Sequence, residues 1–113
     1  MRIATITATD LSMLGGVLLA DAHAADNGRA VEVVIDQPGQ RVIAMGIAAG
    51  SGLPEHDAPP AACLQVCQGE VTLIAGTDEW TLAAGHLVQI PHRRHHLEAA
   101  QDTFALLTIT TPR

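Results

Sequence analysis

The chain has 113 residues, enough for one compact domain and too few for two. Six basic residues, all arginine, and twelve acidic residues give a formal net charge of −6, which argues against the basic face of a nucleic-acid-binding protein. Hydrophobic residues make up 48% of the chain, so the sequence is core-forming rather than disordered. Trp80 and Phe104 are the only aromatic residues. The core is therefore expected to be aliphatic.

The N-terminal region predicts the only helix. Thr9 or Asp10 can cap it, and apolar residues recur near the helical period from Leu11 to Ala22. The dipeptide at 27–28, Asn-Gly, is a stop signal. Residues 1–29 are thus predicted to form a helical segment that packs on the rest of the domain.

From residue 30 the sequence changes to short β-type runs that are separated by turn residues. Gly69 marks a bend or hairpin within the third run. Short strands at this spacing, without alternating helices, predict an all-β sandwich or barrel formed by residues 30–113. The predicted runs are 31–35, 41–48, 63–75, 79–84, 87–90, 95–100 and 103–111.

The two cysteines, Cys63 and Cys67, lie in one predicted strand. Residues four apart on a strand are separated by about 13 Å, whereas a disulfide needs Cα atoms within about 7 Å. We therefore expect free thiols and a cytoplasmic protein. The apolar stretch Ser12–Ala24 is too short to span a bilayer, so a membrane is not an expected partner. A nucleic acid is not expected either, because the net charge is negative.

Two stretches of the second half of the chain, Gly50 to Gly69 and Gly85 to Ala100, have glycine, histidine and proline at regular intervals. These intervals resemble the motifs of small single-domain cupins, a family of double-stranded β-helix barrels with jelly-roll architecture. The first family motif runs Gly, five residues, His-x-His, three or four residues, Glu, six residues, Gly. The positions that fall on it are Gly50, His56, Ala58, Ala62 and Gly69. The second motif runs Gly, five residues, Pro-x-Gly, two residues, His, three residues, Asn. The positions that fall on it are Gly85, Pro91, Arg93, His96 and Ala100.

The resemblance implies a metal site with an incomplete set of ligands. Metal-binding cupins hold one divalent ion through the histidines and glutamate of these motifs, which here implies His56 and His96 as ligands. Ala58 and Ala62 replace the other two ligands, and Zn²⁺ or Fe²⁺ usually takes three or more. His92 is the candidate third ligand. The expected cofactor is Fe, Zn, Mn or Ni, or none.

The segment PHRRHH (91–96) suggests a second kind of site. Arg93 and Arg94, together with His95, are candidate residues for binding a carboxylate or phosphate at the mouth of the barrel. The alternative is an exposed loop whose charges offset the acidic surface. If His95 and His96 are both extended, they point to opposite faces of the strand. Whether His92 or His95 faces the cavity stays open, because the geometry of the loop decides it.

The resemblance therefore implies a small cupin-like protein that binds a small molecule in its barrel, with or without a divalent metal. Whether it is an enzyme, and of which reaction, stays open. The alternative is a metal-free ligand-binding module or a structural dimerisation module without catalysis. A homodimer is expected in either case, and the aliphatic residues Val31, Val33 and Ile35 are candidates for its seam.

Overall fold

The computed structural model describes residues 6–112, which form a helix followed by strands in two antiparallel sheets. One sheet has five strands in the order β1-β2-β9-β4-β7, and the other has four in the order β3-β8-β5-β6. This is the all-β jelly-roll barrel with an N-terminal helix that the sequence predicts. The elements are α1 (Leu11–Ala24), β1 (Arg29–Gln37), β2 (Gln40–Ile47), β3 (Gly52–His56), β4 (Ala62–Gln68), β5 (Glu70–Ala75), β6 (Asp78–Ala83), β7 (Leu87–Gln89), β8 (His95–Ala99) and β9 (Thr103–Thr110).

Aliphatic side chains from both sheets fill the space between them. Leu64 and Val66 of β4 share one buried cluster with Leu73 of β5 and Leu97 of β8. Burial of each such side chain is worth about 1.5–3 kcal/mol. Because side chains alternate along a strand, Cys67 points to the other face, where it packs in a second cluster beneath the helix. Side chains thus alternate between the two faces of the sheet along β4.

Helix α1 covers the outer face of the five-stranded sheet. Its N-cap is Asp10, whose side chain accepts a hydrogen bond from the backbone N–H of Met13 at 3.1 Å. Leu18 shares a buried cluster with Phe104 of β9. Gly46 of β2 permits this close approach, because a Cβ there would lie 2.6 Å from the carbonyl carbon and oxygen of Leu18. The predicted helix is therefore present and docked. Within residues 6–112, no helix is long and apolar enough to cross a membrane.

Strand β3 is absent from the predicted runs. It contains Pro54 and ends in two charged or polar residues, Glu55 and His56, so it lacks the apolar alternation that marks a strand. It pairs with β8 at the edge of the four-stranded sheet, where proline is tolerated because one side of the strand needs no ladder bonds. Gly69, with φ of +87°, separates β4 from β5 as the sequence predicts.

Candidate functional site

Two histidines meet where β3 ends and β8 begins. His56 and His95 are direct partners across the two strands. Their ring centroids are 4.3 Å apart, and the ring planes are inclined by 64°. His95 is only 3% exposed, whereas His56 is open to solvent. We call these two residues the imidazole pair.

The same kind of hydrogen bond orients both rings of the imidazole pair. Nδ1 of His56 lies 2.9 Å from the carbonyl oxygen of Pro54, and Nδ1 of His95 lies 2.9 Å from that of Arg93. A carbonyl oxygen only accepts hydrogen bonds, so each Nδ1 carries a proton and donates it. In the neutral rings, both Nε2 atoms therefore keep a free lone pair. Histidines that bind metals are oriented by bonds of this kind.

His96, which the resemblance implies as a ligand, lies on the other face of β8. It lines a groove of about 670 Å³ on the outside of the four-stranded sheet, together with Thr72 and Glu98. Its Nε2 is 3.5 Å from Oε2 of Glu98. His92, the candidate third ligand, is exposed in the turn before β8. The structure thus brings His56 together with His95 and not with His96.

A signal for this placement is present in the sequence. Leu97 and Ala99 are the apolar residues of β8 and are both buried. Strand alternation puts His95 on their face and His96 on the opposite one. Matching the chain to the motif by spacing alone selects His96, because the spacing takes no account of which face of the strand is buried.

The donor set around the imidazole pair does not fit a permanently bound metal cofactor. Among residues 6–112, no three His, Cys, Asp or Glu side chains are grouped so that they could hold a metal ion. Ala58 and Ala62 occupy the other positions implied by the resemblance, and both pack against the core between the sheets. Two imidazole nitrogens are fewer than the three or more protein ligands of a typical zinc or iron site.

Arg94 binds Glu55 and Asp57 next to the imidazole pair. Arg94 directly precedes His95 in the sequence, and Glu55 and Asp57 are the residues on either side of His56. Nε of Arg94 donates to Oε1 of Glu55 at 3.0 Å, and its Nη1 donates to Oδ1 of Asp57 at 3.0 Å. The bond to Glu55, followed by that to Asp57, raises the pKa of Arg94 above its ordinary value. Arg93 forms an ion pair with Asp78. Both guanidinium groups are thus paired with carboxylates of this chain, and binding of an external carboxylate or phosphate by Arg93, Arg94 and His95 stays a prediction.

Comparison with known proteins identifies the fold of the chain. No family model and no curated protein matches the chain. Among solved structures, an RmlC-like cupin from Desulfovibrio desulfuricans is 22% identical with a TM-score of 0.65, over 75% of this chain and 84% of that one. KdgF from a Halomonas species is 18% identical with a TM-score of 0.67, over 78% of this chain and 84% of that one. This chain has the cupin fold.

A larger enzyme contains a similar domain. Salicylate 1,2-dioxygenase from Pseudoaminobacter salicylatoxidans, in complex with gentisate, is 13% identical with a TM-score of 0.72. The match covers 85% of this chain but only 31% of the dioxygenase chain. Identities this low establish the fold and leave the activity to be argued from the residues themselves. The predicted resemblance to cupins is confirmed at the level of the fold.

Proposed function

We propose that this cupin binds a small molecule at the imidazole pair and does so without a resident metal. The observation that carries the proposal is the pair of free Nε2 lone pairs on His56 and His95, which hydrogen bonds to backbone carbonyls hold in place. Lone pairs of this kind accept hydrogen bonds, so the ligand is expected to carry hydroxyl groups. His95 lies on the same buried face of β8 as Leu97 and Ala99, so aliphatic side chains border the imidazole pair.

The imidazole pair also defines the chemistry available to such a ligand. A neutral imidazole can act as a general base toward a bound hydroxyl group. The fixed Nδ1–H of each ring means that only Nε2 can do so without breaking the bond to Pro54 or Arg93. The proposal covers binding, and proton transfer to Nε2 is the reaction class to screen once a ligand is known.

A thermal shift experiment in the presence of a chelator tests the proposal. The probes are salicylate and gentisate, the hydroxy acids named for the dioxygenase neighbour, with benzoate as the matched acid without a hydroxyl group. We expect the hydroxy acids to raise Tm more than benzoate does, because ligand binding to the native state stabilises it. The shift should disappear in His56→Ala and His95→Ala and persist in His96→Ala, which removes an imidazole from the opposite face of β8.

Two outcomes would contradict the proposal. One is that neither hydroxy acid raises Tm more than benzoate does. The other is a shift that survives both His56→Ala and His95→Ala, because the ligand would then bind elsewhere, and the outer groove that contains His96 would be the next site to test.

The same free lone pairs favour a second candidate function. A divalent ion (Fe, Zn, Mn or Ni) would be held by His56 and His95 only together with the ligand, since the chain supplies too few donors to hold it alone. Elemental analysis of untagged protein, purified without chelators or a nickel column, tests this. One metal per chain that is lost in both variants would replace the metal-free proposal. Loss in His92→Ala or His96→Ala would support the ligands implied by the sequence motifs.

We also propose that the protein is a homodimer in the cytoplasm. Cys63 and Cys67 are both free thiols on β4, and burial raises the pKa of the Cys67 thiol, which keeps it protonated at neutral pH. Free thiols of this kind persist in a reducing compartment. The homodimer is supported by Val31 and Val33, which are 58% and 50% exposed on β1, an edge strand of the five-stranded sheet.

A further inference from the structure

The pairing of β3 with β8 fixes His56 at a single point. His56 is paired with His95, but the register shifts between Leu53 and His56. Pro54 lies within this shift and has no backbone N–H to donate. Strand β3 ends at His56, whereas β4 begins only at Ala62. The sheet therefore gives His56 one partner residue, with an irregular segment before it and a loop after it.

Arg94 contacts the chain on both sides of His56. Its Nε donates to Oε1 of Glu55 and its Nη1 to Oδ1 of Asp57, each at 3.0 Å. Its Nη2 donates to the backbone carbonyl oxygen of Glu55 at 3.4 Å. One guanidinium group can make these bonds together because its five N–H donors are fixed in a planar fork. A single side chain therefore binds both sequence neighbours of His56.

The place of Arg94 in the chain connects these bonds to the other ring of the imidazole pair. Arg94 directly precedes His95, which is 3% exposed and whose Nδ1 donates to the carbonyl oxygen of Arg93. Burial and this hydrogen bond fix His95, whereas His56 is open to solvent. The bonds of Arg94 therefore join the segment that carries the exposed ring to the segment that carries the buried ring.

The exposure of these three side chains suits them to local order rather than to overall stability. Those of Arg94 and Glu55 are 55% and 53% exposed, and that of Asp57 is 83% exposed. Exposed ion pairs contribute little to the free energy of unfolding, because water and salt screen them. Several bonds on one guanidinium group nevertheless restrict the geometry of the groups that they join. Their loss is therefore expected at the ring of His56 and hardly in Tm.

We propose that Arg94 is a positioning residue, which holds the ring of His56 against that of His95 through its bonds to Glu55 and Asp57. Its effect on ligand binding rests on the proposed function, whereas its effect on the two rings requires no ligand. Without these bonds the ring of His56 can turn into water, where either nitrogen can carry the proton. The imidazole pair would then offer one fixed Nε2 lone pair instead of two.

NMR spectroscopy of protein with ¹⁵N-labelled histidine tests this inference without a ligand. At about pH 8, where histidine side chains in proteins are generally neutral, the spectrum shows which ring nitrogen carries the proton. We expect Nδ1–H on both rings of the wild type, and a nuclear Overhauser effect between His56 and His95. In Arg94→Gln, His56 should show a mixture of both tautomers and lose this effect, while His95 should keep Nδ1–H. The variants His56→Ala and His95→Ala assign the signals.

Two further variants sharpen the comparison. Glu55→Gln/Asp57→Asn keeps the arginine and removes both carboxylates, so it should reproduce the spectrum of Arg94→Gln and replaces that variant if it does not fold. Arg41→Gln removes an exposed arginine that pairs with Asp36 in the other sheet, and this matched control should keep the wild-type spectrum. Tm of Arg94→Gln without ligand should stay within about 4 °C of the wild type, as for other surface substitutions.

The outcomes separate the positioning role from the proposed function. If the tautomers of His56 in folded Arg94→Gln or Glu55→Gln/Asp57→Asn are those of the wild type, the positioning role of Arg94 is overturned, whatever salicylate does. If the role is correct, salicylate should raise Tm less in Arg94→Gln than in the wild type, and an equal rise would contradict the effect on binding. A wild type that does not respond to salicylate would count against the proposed function alone, because the spectra are recorded without a ligand.

Discussion

Asp102 joins three segments of the chain through its two carboxylate oxygens. Oδ1 accepts a hydrogen bond from the backbone N–H of Ala49 at 2.9 Å, and Oδ2 lies 2.7 Å from Nε2 of His23 at the end of α1. The bond from Ala49, and after it the bond from His23, lowers the pKa of Asp102 below its ordinary value. The carboxylate therefore ties the helix to the turn between β8 and β9.

This lowered pKa predicts a pH dependence of stability. The contribution of Asp102 is present above the pKa of its unfolded state and is lost as the pH falls through its lower folded-state pKa. Asp102→Asn should lower Tm at neutral pH, and the difference from wild type should shrink in acid. Thermal unfolding between neutral pH and about pH 3 measures this. Asp21→Asn, on the exposed side of α1, is the control, and its Tm should follow that of the wild type at every pH. A difference in Tm between Asp102→Asn and the wild type that stays constant over this pH range would contradict the role of the Asp102 carboxylate.

At the scale of single elements, a glycine of β2 decides how closely α1 sits on the sheet, while a glycine of the helix does not. A Cβ at Gly46 of β2 would lie 2.6 Å from backbone atoms of Leu18, whereas a Cβ at Gly16 of the helix would meet nothing within 4 Å. The first glycine is thus a condition for docking. The second only weakens the helix, since glycine in a helix interior is less favourable than alanine.

The two glycines give a matched pair of alanine substitutions. Gly46→Ala should destabilise the protein by about 1–3 kcal/mol, because the helix backbone has to move away from the sheet. Gly16→Ala should stabilise it by about 0.5–1 kcal/mol. Urea unfolding of the two variants and the wild type measures both changes. If Gly46→Ala were as stable as the wild type, the close contact between Leu18 and β2 would not exist in solution.

At the scale of the whole molecule, stability depends on a small aliphatic core. Leu73 is fully buried at the centre of the cluster between the sheets. Leu73→Ala should cost about 2–5 kcal/mol, a large share of the 5–15 kcal/mol that is typical of a domain. Leu87→Ala, on the exposed edge strand β7, should change the free energy of unfolding by less than about 0.5 kcal/mol. Chemical denaturation compares the two, and similar losses would contradict the assignment of the core.

Association also belongs to this scale. If β1 forms the proposed dimer, Tm of the wild type should rise with protein concentration, because dimer formation stabilises the native state by mass action. Tm of Val31→Lys/Val33→Lys should not depend on concentration. Differential scanning calorimetry over a series of dilutions gives this comparison. If Tm depended on protein concentration in the same way for both proteins, Val31 and Val33 would not lie in a dimer interface.

Local pattern in the sequence was sufficient for the fold class and for much of the element order. The helix cap at Asp10, the turn at Gly69 and the alternation of Leu64 and Val66 along β4 are all short-range features, and the structure has each of them. Strand β3 escaped prediction because Pro54 and the polar residues after it carry no strand period. A sheet edge allows such a strand, and which segment becomes an edge is not a local property.

What the sequence alone determined is therefore an all-β barrel with an aliphatic core and an N-terminal helix, because each of these follows from residue type and local period. The cupin fold and the incomplete set of metal ligands were implied by the resemblance to that family's motifs. Tertiary structure decided which histidine meets His56. The register between β3 and β8, strands distant in the sequence, selects His95 and turns His96 outward. The same distant pairing engages Arg94 with Glu55 and Asp57, and strand order leaves β1 at an open edge. Contacts between distant segments bring these partners together, whereas the alternation along β8 indicates only that His95 and His96 point to opposite faces.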